Sequence, residues 1–315
     1  MLPAPVARGF TRRALGRGLL MVVIVLATSV CFVLIKAALA YAPPFRFAAW
    51  RLFIGGLVLL VLVVLARLPL VPPRAIWPWL VLLSLAATAF GYGAMFVSPS
   101  LAGVGSAAVL GNTQPLWVTV LAALLLGERL TRVKVMSLLL GLAGVSLIAS
   151  PAFQGGSFFG VEGALLALAS AAGFAYGSVL VRRLEPGRYL LTLTAWQLLL
   201  GSVPLFVLSV WLEPEEVVWS TSFILSLMVL AVVGTAFVTA AWNWLIQGHE
   251  VARLSLVFFL VPVFGLALAA LFFGERITLL QGLGLGLVVT GLVIVSVANT
   301  QEVSPRLADP LRAES

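Results

Sequence analysis

The chain has 315 residues, of which 62% are hydrophobic and only 10% are charged. Soluble globular proteins average about 45–50% apolar and about 25% charged residues, so this composition excludes a soluble enzyme, a disordered chain and a nucleic-acid-binding domain. The net charge of +8 would suit an acidic partner, but the placement of the basic residues assigns them to membrane topology instead. The composition predicts a polytopic helical membrane protein.

The sequence also limits the chemistry that the chain can carry. Its one cysteine, Cys31, cannot form a disulfide within the chain, and Cys31 with the one histidine, His249, cannot supply a zinc cluster. No Walker phosphate-binding loop occurs in the sequence. We therefore expect no metal, no cofactor, no enzymatic site and no ATP-driven pump.

Apolar runs of about 20 residues predict ten membrane-spanning helices. In chain order they are Leu19–Ala40, Phe47–Ala66, Trp77–Val97, Gly103–Leu126, Val133–Ser150, Val161–Val181, Leu190–Leu212, Ser222–Gln247, Leu254–Phe273 and Leu279–Ala298. Such spans leave only short tails and connections, so any binding site must lie between the helices.

The basic residues predict the orientation of these spans. With the N-terminus inside, fifteen of the 19 lysines and arginines fall on inner segments, whereas only Arg46 and Arg276 fall on outer ones. Lys36 and Arg51 lie within spans. Because cytoplasmic loops carry the excess of basic residues, we expect both termini in the cytoplasm.

The strongest sequence feature is an internal repeat. Pro115 begins the stretch PLWVTVLAALLLGERLT, and Pro262, 147 positions later, begins PVFGLALAALFFGERIT. Five spans per repeat is an odd number, so the second copy enters the membrane inverted, as in many secondary transporters. The predicted organisation is a basic cytoplasmic tail (1–18), a first five-helix repeat (19–150), an extracytoplasmic linker (151–160), a second, inverted five-helix repeat (161–298) and a cytoplasmic tail (299–315).

These features resemble the EamA-type transporters of the drug/metabolite transporter superfamily over about residues 19–298. The resemblance is carried by the spacing of Phe32 and Lys36 in helix 1, by Pro43-Pro44 before helix 2, by Arg51, and by the doubled P-x₁₁-G-E-R-L/I-T signature. The pair Ala27-Thr28 departs from the Trp-Gly pair that is usual in that family. The resemblance implies a ten-helix export or exchange carrier for small metabolites, often amino acids, in the bacterial inner membrane.

Two basic residues inside spans, Lys36 and Arg51, are candidate ligands for a substrate carboxylate. A charge at the bilayer centre costs about 2.5–3.5 kcal/mol on insertion scales. The alternative is that both side chains extend to the outer headgroups. Glu162, at the start of helix 6, is the acidic residue expected to pair with one of them if they do not bind substrate.

Two prolines are predicted to break helices at a substrate site. Pro115 and Pro262 lie within predicted helices 4 and 9, where each removes a backbone hydrogen bond and frees a carbonyl. Asn112 and Gln114 precede Pro115 but point about 200° apart on an ideal helix, so only one faces a cavity unless the helix opens there. The alternative is a packing kink without a binding role.

Further aromatic and amide side chains are predicted to line the cavity. Tyr92 lies in helix 3, Trp196 and Gln197 lie in helix 7, and Trp242 and Asn243 lie in helix 8. Aromatic walls with a few amides suit a small amphipathic metabolite. The alternative for each aromatic ring is an anchor at the membrane interface or core packing.

Small residues are predicted to serve helix ends and helix packing. The segments Gly127–Arg129 and Gly274–Arg276 are expected to close helices, and Thr278 with Gln281 is expected to form a capping box. Six glycines in helices 5 and 10 allow close packing within the chain or in a homodimer: Gly141, Gly144, Gly282, Gly284, Gly286 and Gly291.

The sequence therefore predicts a secondary transporter that exports or exchanges small organic metabolites by alternating access. Amino acids, aromatic ones among them, are the expected substrates. No Asp or Glu lies in the middle of a predicted span, which argues against organic cations and against a buried carboxylate proton relay. The alternatives are a flippase for a lipid or lipid-linked sugar, a membrane enzyme and a scaffold. The expected partners are the substrate, the bilayer and no nucleic acid.

Overall fold

The computed structural model describes residues 4–102, 107, 110–148, 161–273 and 278–307, and within these residues it contains helices and no strand. The helices of the first repeat are α1 (Ala4–Ala38), α2 (Pro44–Leu65), α3 (Trp77–Leu83, Ser84–Phe90 and Gly91–Ala102), α4 (Gln114–Leu126) and α5 (Arg132–Ile148). The helices of the second repeat are α6 (Val161–Leu184), α7 (Leu190–Leu212), α8 (Thr221–Ala231, Val232–Phe237 and Val238–Leu245), α9 (Val251–Ser255, Leu256–Phe259 and Leu260–Phe273) and α10 (Leu279–Leu307). The predicted all-helical fold of two five-helix repeats is confirmed.

Two helix ends differ from the predicted spans. Helix α1 begins at Ala4, so most of the segment predicted as a basic tail is helical, and α10 continues to Leu307 in the segment predicted as the second tail. The predicted linker 151–160 and the segment Gly274–Arg276 lie outside the described residues.

Within the described part of the chain, five helices are long and apolar enough to cross a membrane: Pro44–Leu65, Arg74–Pro99, Val161–Leu184, Gly187–Leu212 and Thr221–Leu245. Shorter apolar stretches occupy α1, α4, α9 and α10. Large apolar side chains cover the outside of the bundle; Leu124 is 75% exposed and Val210 is 74% exposed. In water such a surface would be unfavourable, whereas in a bilayer it meets hydrocarbon.

Local sequence explains where several helices begin and end. Gly127 ends α4 in a left-handed conformation (φ 69°) that glycine adopts without steric cost. Ser220 caps α8 by accepting a hydrogen bond from Phe223 N at 3.2 Å. The predicted capping box of α10 is present, because Thr278 N donates to Gln281 Oε1 at 2.9 Å and Gln281 N donates to Thr278 Oγ1 at 3.3 Å.

Equivalent helices of the two repeats pack in pairs. Helix α2 packs along α7, and α5 packs along α10. The α5–α10 contact is close because of glycine: a Cβ added at Gly144 would lie 2.6 Å from the Gly284 carbonyl oxygen, and one at Gly291 would lie 2.9 Å from the Ser137 carbonyl oxygen. These glycines therefore serve packing within the chain, whereas Gly282 and Gly286 face open space among the described residues.

The π-helical middle sections of α3 and α8 occupy equivalent repeat positions. Thr88 lies in Ser84–Phe90, and Thr235, 147 positions later, lies in Val232–Phe237. Helix α7 packs on the π-helical section of α3, and α2 packs on that of α8. Gly201 and Gly55 permit these approaches. A Cβ at Gly201 would lie 3.0 Å from the carbonyl oxygen of Ser84, in the π-helical section of α3, and one at Gly55 would lie 3.0 Å from that of Ala231, directly before the π-helical section of α8. The internal repeat is thus preserved in backbone detail.

Candidate substrate cavity

A cavity of about 290 Å³ lies between the two repeats, lined by residues of α1 to α4 and α6 to α9. Seven of the residues predicted from sequence line it: Arg51, Tyr92, Asn112, Gln114, Gln197, Trp242 and Asn243. The side chain of Lys36 lies outside the described residues. Trp196 is absent from the described lining.

The cavity ends against a packed apolar cluster on one side. Its lining follows α3 from Ala87 to Pro99, whereas Trp242 and Asn243 bound its other end. Beyond Trp242, buried side chains of α3, α4, α6, α8 and α9 form one continuous cluster that includes Leu83 and Val251. The end that carries the start of α9 is therefore closed.

Arg51 is buried, with 3% of its surface exposed, and does not extend to the headgroups. Its Nε donates to Thr235 Oγ1 at 2.6 Å, and its Nη2 donates to the Gly234 carbonyl oxygen at 3.1 Å. Its Cζ lies 5.5 Å from the centroid of the Tyr92 ring, within range of a cation–π interaction. Glu162 is exposed, and Arg51 forms no salt bridge with any described residue.

Gln197 is the repeat equivalent of Arg51, 146 positions later. Its Nε2 donates to Thr88 Oγ1 at 3.0 Å, as Arg51 donates to Thr235. Both hydrogen bonds cross from one repeat to the other, from α2 to α8 and from α7 to α3. Thr88 and Thr235 occupy equivalent repeat positions, and their binding partners follow from the inverted packing of the two repeats.

Two cavity-lining residues hold buried polar atoms that lack a hydrogen-bond partner among the described residues. They are Nη1 of Arg51 and Oε1 of Gln197, two of four such side-chain atoms in the described part of the chain. Buried polar groups are normally paired. One donor and one acceptor on residues of the cavity wall are thus unpaired among the described residues.

Trp242 and Asn243 are fixed at the closed end of the cavity by neutral hydrogen bonds. Trp242 Nε1 donates to Ser178 Oγ at 2.9 Å, and Asn243 Nδ2 donates to Thr194 Oγ1 at 3.0 Å. The Trp242 ring meets the Phe258 ring edge to face, with centroids 4.7 Å apart. These contacts hold Trp242 and Asn243 in place at this end of the cavity, which we call the cavity floor.

The structure corrects the position of Pro115. It lies in the first turn of α4, where proline is tolerated, because the chain leaves the helical path at Asn112 and Thr113. Predicted helix 4 is therefore interrupted, and its break turns both Asn112 and Gln114 toward the cavity. On an unbroken helix only one of them would reach it.

Pro262 lies within α9, three residues after the end of the 3₁₀ section Leu256–Phe259. Its missing N–H removes the helical donor for the Phe258 carbonyl. Phe258 and Val261 line the cavity, and Ser29 Oγ of α1 donates to the Val261 carbonyl oxygen at 3.0 Å. Neither proline is itself in the described lining; each shapes the backbone beside it.

The structure also corrects the assignment of Trp196 to the cavity. Its Nε1 donates to the Leu70 carbonyl oxygen at 2.9 Å, and its ring packs on Trp77 with centroids 5.8 Å apart. Successive helical residues point about 100° apart, so Gln197 reaches α3 while Trp196 points toward the α2–α3 connection. Trp196 is an anchor for that connection.

Two carboxylates, of buried Glu213 and half-buried Glu128, tie one repeat to the other at the two ends of the bundle. Glu213, after α7, accepts hydrogen bonds from Phe45 N at 2.6 Å and Arg46 N at 2.9 Å at the start of α2. Glu128, after α4, accepts from Val251 N at 2.7 Å and Ala252 N at 3.2 Å at the start of α9. A carboxylate at a helix N-terminus satisfies free N–H groups. Glu128, predicted only as part of a segment that ends α4, therefore also caps the start of α9.

The end that carries Glu128 also holds titratable groups with shifted pKa values. Burial raises the pKa of Glu128, against the opposing effects of its two N–H donors and of Lys134. Burial lowers the pKa of His249, and nearby arginines, Arg182 among them, lower it further. Lys134 forms a salt bridge with Glu250 at 3.0 Å.

The chain was compared with known proteins. The EamA-like transporter family matches residues 17–150 and again 161–297. The uncharacterized transporter YvbV of Bacillus subtilis (strain 168) is 33% identical over 279 residues, covering 88% of this chain and 90% of that one. A probable amino-acid metabolite efflux pump of Escherichia coli (strain K12) is 31% identical over 287 residues, covering 88% and 93%.

A solved crystal structure shares the fold. It superposes with a TM-score of 0.79 at 23% identity and covers 91% of this chain and 98% of its own. The family match in both halves, the doubled five-helix architecture and the central cavity agree with one another. The chain belongs to the EamA-like transporter family of membrane proteins.

Proposed function

We propose that the protein is a secondary carrier that exports or exchanges amino acids, aromatic ones among them. The observation that carries this proposal is the buried guanidinium of Arg51, which forms no salt bridge among the described residues. A buried charge is costly unless it is paired. A substrate carboxylate supplies the missing anion, with geometry that suits a guanidinium.

The size and lining of the cavity support a small amphipathic substrate. Its volume of about 290 Å³ lies just below the usual range for ligand sites, about 300–1,000 Å³, as a small substrate requires. Tyr92, Phe174, Trp242 and Phe258 supply aromatic walls, while Asn112 and other amides supply hydrogen-bonding groups. An amino acid with an apolar or aromatic side chain fits this combination.

Two relatives support the same substrate class. The Escherichia coli protein described above and a protein of Salmonella typhimurium (strain LT2), 29% identical over 287 residues, are both named probable amino-acid metabolite efflux pumps. Their similarity to this chain extends over 88% of its length.

We further propose that the two inverted repeats move against each other to open the cavity to one side at a time. The cavity is closed at the end where Glu128 binds the start of α9. The excess of basic residues near that end supports its assignment to the cytoplasmic side of the membrane, which we propose to be a bacterial inner membrane. Reporter fusions at either terminus test this orientation: a cytoplasmic reporter must be active and a periplasmic reporter silent.

A counterflow assay tests the transport function. Purified protein in liposomes is loaded with an unlabelled amino acid, and uptake of the same labelled amino acid is followed without ATP or a proton gradient. We expect uptake above that of empty liposomes, its loss in Arg51→Met, and its retention in Trp196→Phe, which alters a residue outside the cavity lining.

Absence of counterflow with aliphatic and aromatic amino acids, in folded protein, would overturn the proposal. Movement of labelled phospholipid between leaflets in the same liposomes would then identify a flippase.

A further inference from the structure

The cavity wall carries two side chains with opposite hydrogen-bonding capacity at equivalent repeat positions. Arg51 offers a donor at Nη1, and Gln197 offers an acceptor at Oε1; both atoms are buried and unpaired among the described residues. Arg51 is 3% exposed and Gln197 is 7% exposed. Each side chain is held by a threonine of the opposite repeat, so neither is free to turn away.

The assignment of the Gln197 oxygen to the unpaired position follows from the repeat. Arg51 Nε can only donate, so Thr235 accepts from it, and the Thr235 hydroxyl donates to the Leu230 carbonyl oxygen at 3.0 Å. Gln197 contacts Thr88 in the equivalent π-helical section with the same polarity, donating through Nε2. The oxygen of its amide therefore remains as an acceptor.

The two groups lie within reach of one small molecule. Arg51 stacks over the ring of Tyr92, and Gln197 binds Thr88, which lies four residues earlier on α3. Residues four apart on a helix are neighbours, with Cβ atoms about 5–6 Å apart. Both atoms are shielded from water, so a ligand reaches them as neighbouring lining side chains move aside.

From this arrangement we infer that Gln197 determines the specificity of the site by accepting a hydrogen bond from the substrate ammonium group while Arg51 binds the carboxylate. The inference rests on the proposed function and narrows it to α-amino acids as zwitterions. The first repeat contacts the carboxylate and the second repeat contacts the amine. A substrate that lacks either group leaves one buried polar atom unpaired, and sites of this kind discriminate strongly against such analogues.

Equilibrium binding to the full chain in lipid nanodiscs tests this inference. The probes are two matched sets: phenylalanine, 3-phenylpropionate and 2-phenylethylamine, and leucine, 4-methylpentanoate and 3-methylbutylamine. We expect the wild type to bind an amino acid at least about tenfold more tightly than its deaminated or decarboxylated analogue, as for a lost charge-assisted hydrogen bond.

Variants at position 197 separate recognition from folding. Gln197→Met removes the acceptor, so the amino acid and its deaminated analogue should bind within about threefold of each other, while discrimination against the amine persists. Gln197→Glu retains an acceptor and can accept from the Thr88 hydroxyl, so it should keep the preference for the amino acid. Thermal unfolding of each variant measures its folding.

Equal binding of an amino acid and its deaminated analogue by the wild type would overturn the inference and leave the proposed function intact. Unchanged discrimination in Gln197→Met would do the same. Absence of binding by all six probes would overturn the proposed function and the inference with it.

Discussion

Arg51 Nε donates a 2.6 Å hydrogen bond to Thr235 Oγ1 and thereby joins α2 of the first repeat to the π-helical section of α8 in the second. The equivalent bond, from Gln197 to Thr88, joins α7 to α3. π-Helical sections often accompany functional sites, and here each places a threonine beside the cavity. The two repeats therefore share an equivalent side-chain hydrogen bond as well as an equivalent arrangement of helices.

The two threonines should contribute unequally to stability. Thr235→Val leaves a guanidinium nitrogen unpaired and should destabilise the fold by about 1.5–3 kcal/mol, whereas Thr88→Val affects a neutral amide and should cost about 1 kcal/mol. Unfolding in mixed micelles with increasing SDS measures both. Thr235→Ser, which keeps the hydroxyl, is the control, and an equal or larger loss in Thr88→Val would contradict the interpretation.

Trp242 and Trp196, both predicted from sequence as cavity residues, should differ in how their substitution changes substrate affinity. Trp242→Phe removes the 2.9 Å bond to Ser178 at the cavity floor and should lower substrate affinity by roughly fivefold, the equivalent of about 1 kcal/mol. Trp196→Phe removes a bond outside the cavity lining and should leave affinity unchanged. Initial rates of counterflow across a range of substrate concentrations give the substrate affinities of the two variants. A larger loss of affinity in Trp196→Phe than in Trp242→Phe would place the substrate outside this cavity.

Packing of α5 on α10 should depend on the glycines that face each other. Gly144→Ala places a methyl group against the Gly284 carbonyl oxygen and should destabilise the fold by about 1–3 kcal/mol. Gly286→Ala enters open space and should change stability by less than about 0.5 kcal/mol. Thermal unfolding, monitored by size-exclusion chromatography of heated samples, compares the stabilities of the two variants. Strong destabilisation by Gly286→Ala would indicate an occupied outer face of α10, as in a homodimer.

The end of the bundle that carries Glu128 should give stability a pH dependence with two opposed contributions. The raised pKa of Glu128 stabilises the fold below its ordinary value of 4.5, an effect lost as pH rises through the folded pKa. The lowered pKa of His249 stabilises the fold above its ordinary value of 6.5, an effect lost as pH falls through the folded pKa. On acidification the two therefore act in opposite directions.

Single variants separate these contributions. On acidification from about pH 7.5 to about pH 5, the unfolding temperature of His249→Asn should rise more, or fall less, than that of the wild type. The unfolding temperature of Glu128→Gln should rise less, or fall more, than that of the wild type. Thermal unfolding of the three proteins at both pH values checks this order. Identical shifts in all three would show that neither group titrates differently in the folded and unfolded chain.

The sequence by itself determined the class of protein and its architecture. The apolar runs required membrane helices, because a bilayer leaves no other way to satisfy backbone N–H and C=O groups in a chain of this pattern. The repeat of the Pro115 segment at Pro262, with five spans per copy, required inversion. The sequence also predicted Arg51, Gln197 and Trp242 as cavity residues, and all three line the cavity of the structure, since polar and ionisable residues within membrane spans usually face the interior of the bundle.

Only the tertiary structure decided which partner each side chain has. The bonds from Arg51 to Thr235 and from Gln197 to Thr88 span 184 and 109 residues, a distance at which one sequence carries no pairing signal. Local pattern could not separate Trp196 from Trp242, because both lie on apolar helices beside an amide. The break at Asn112 likewise depends on packing around the cavity, since an isolated apolar helix would run on to its proline. Side-chain partners are set by how the two repeats pack against each other, and that packing is a property of the whole fold.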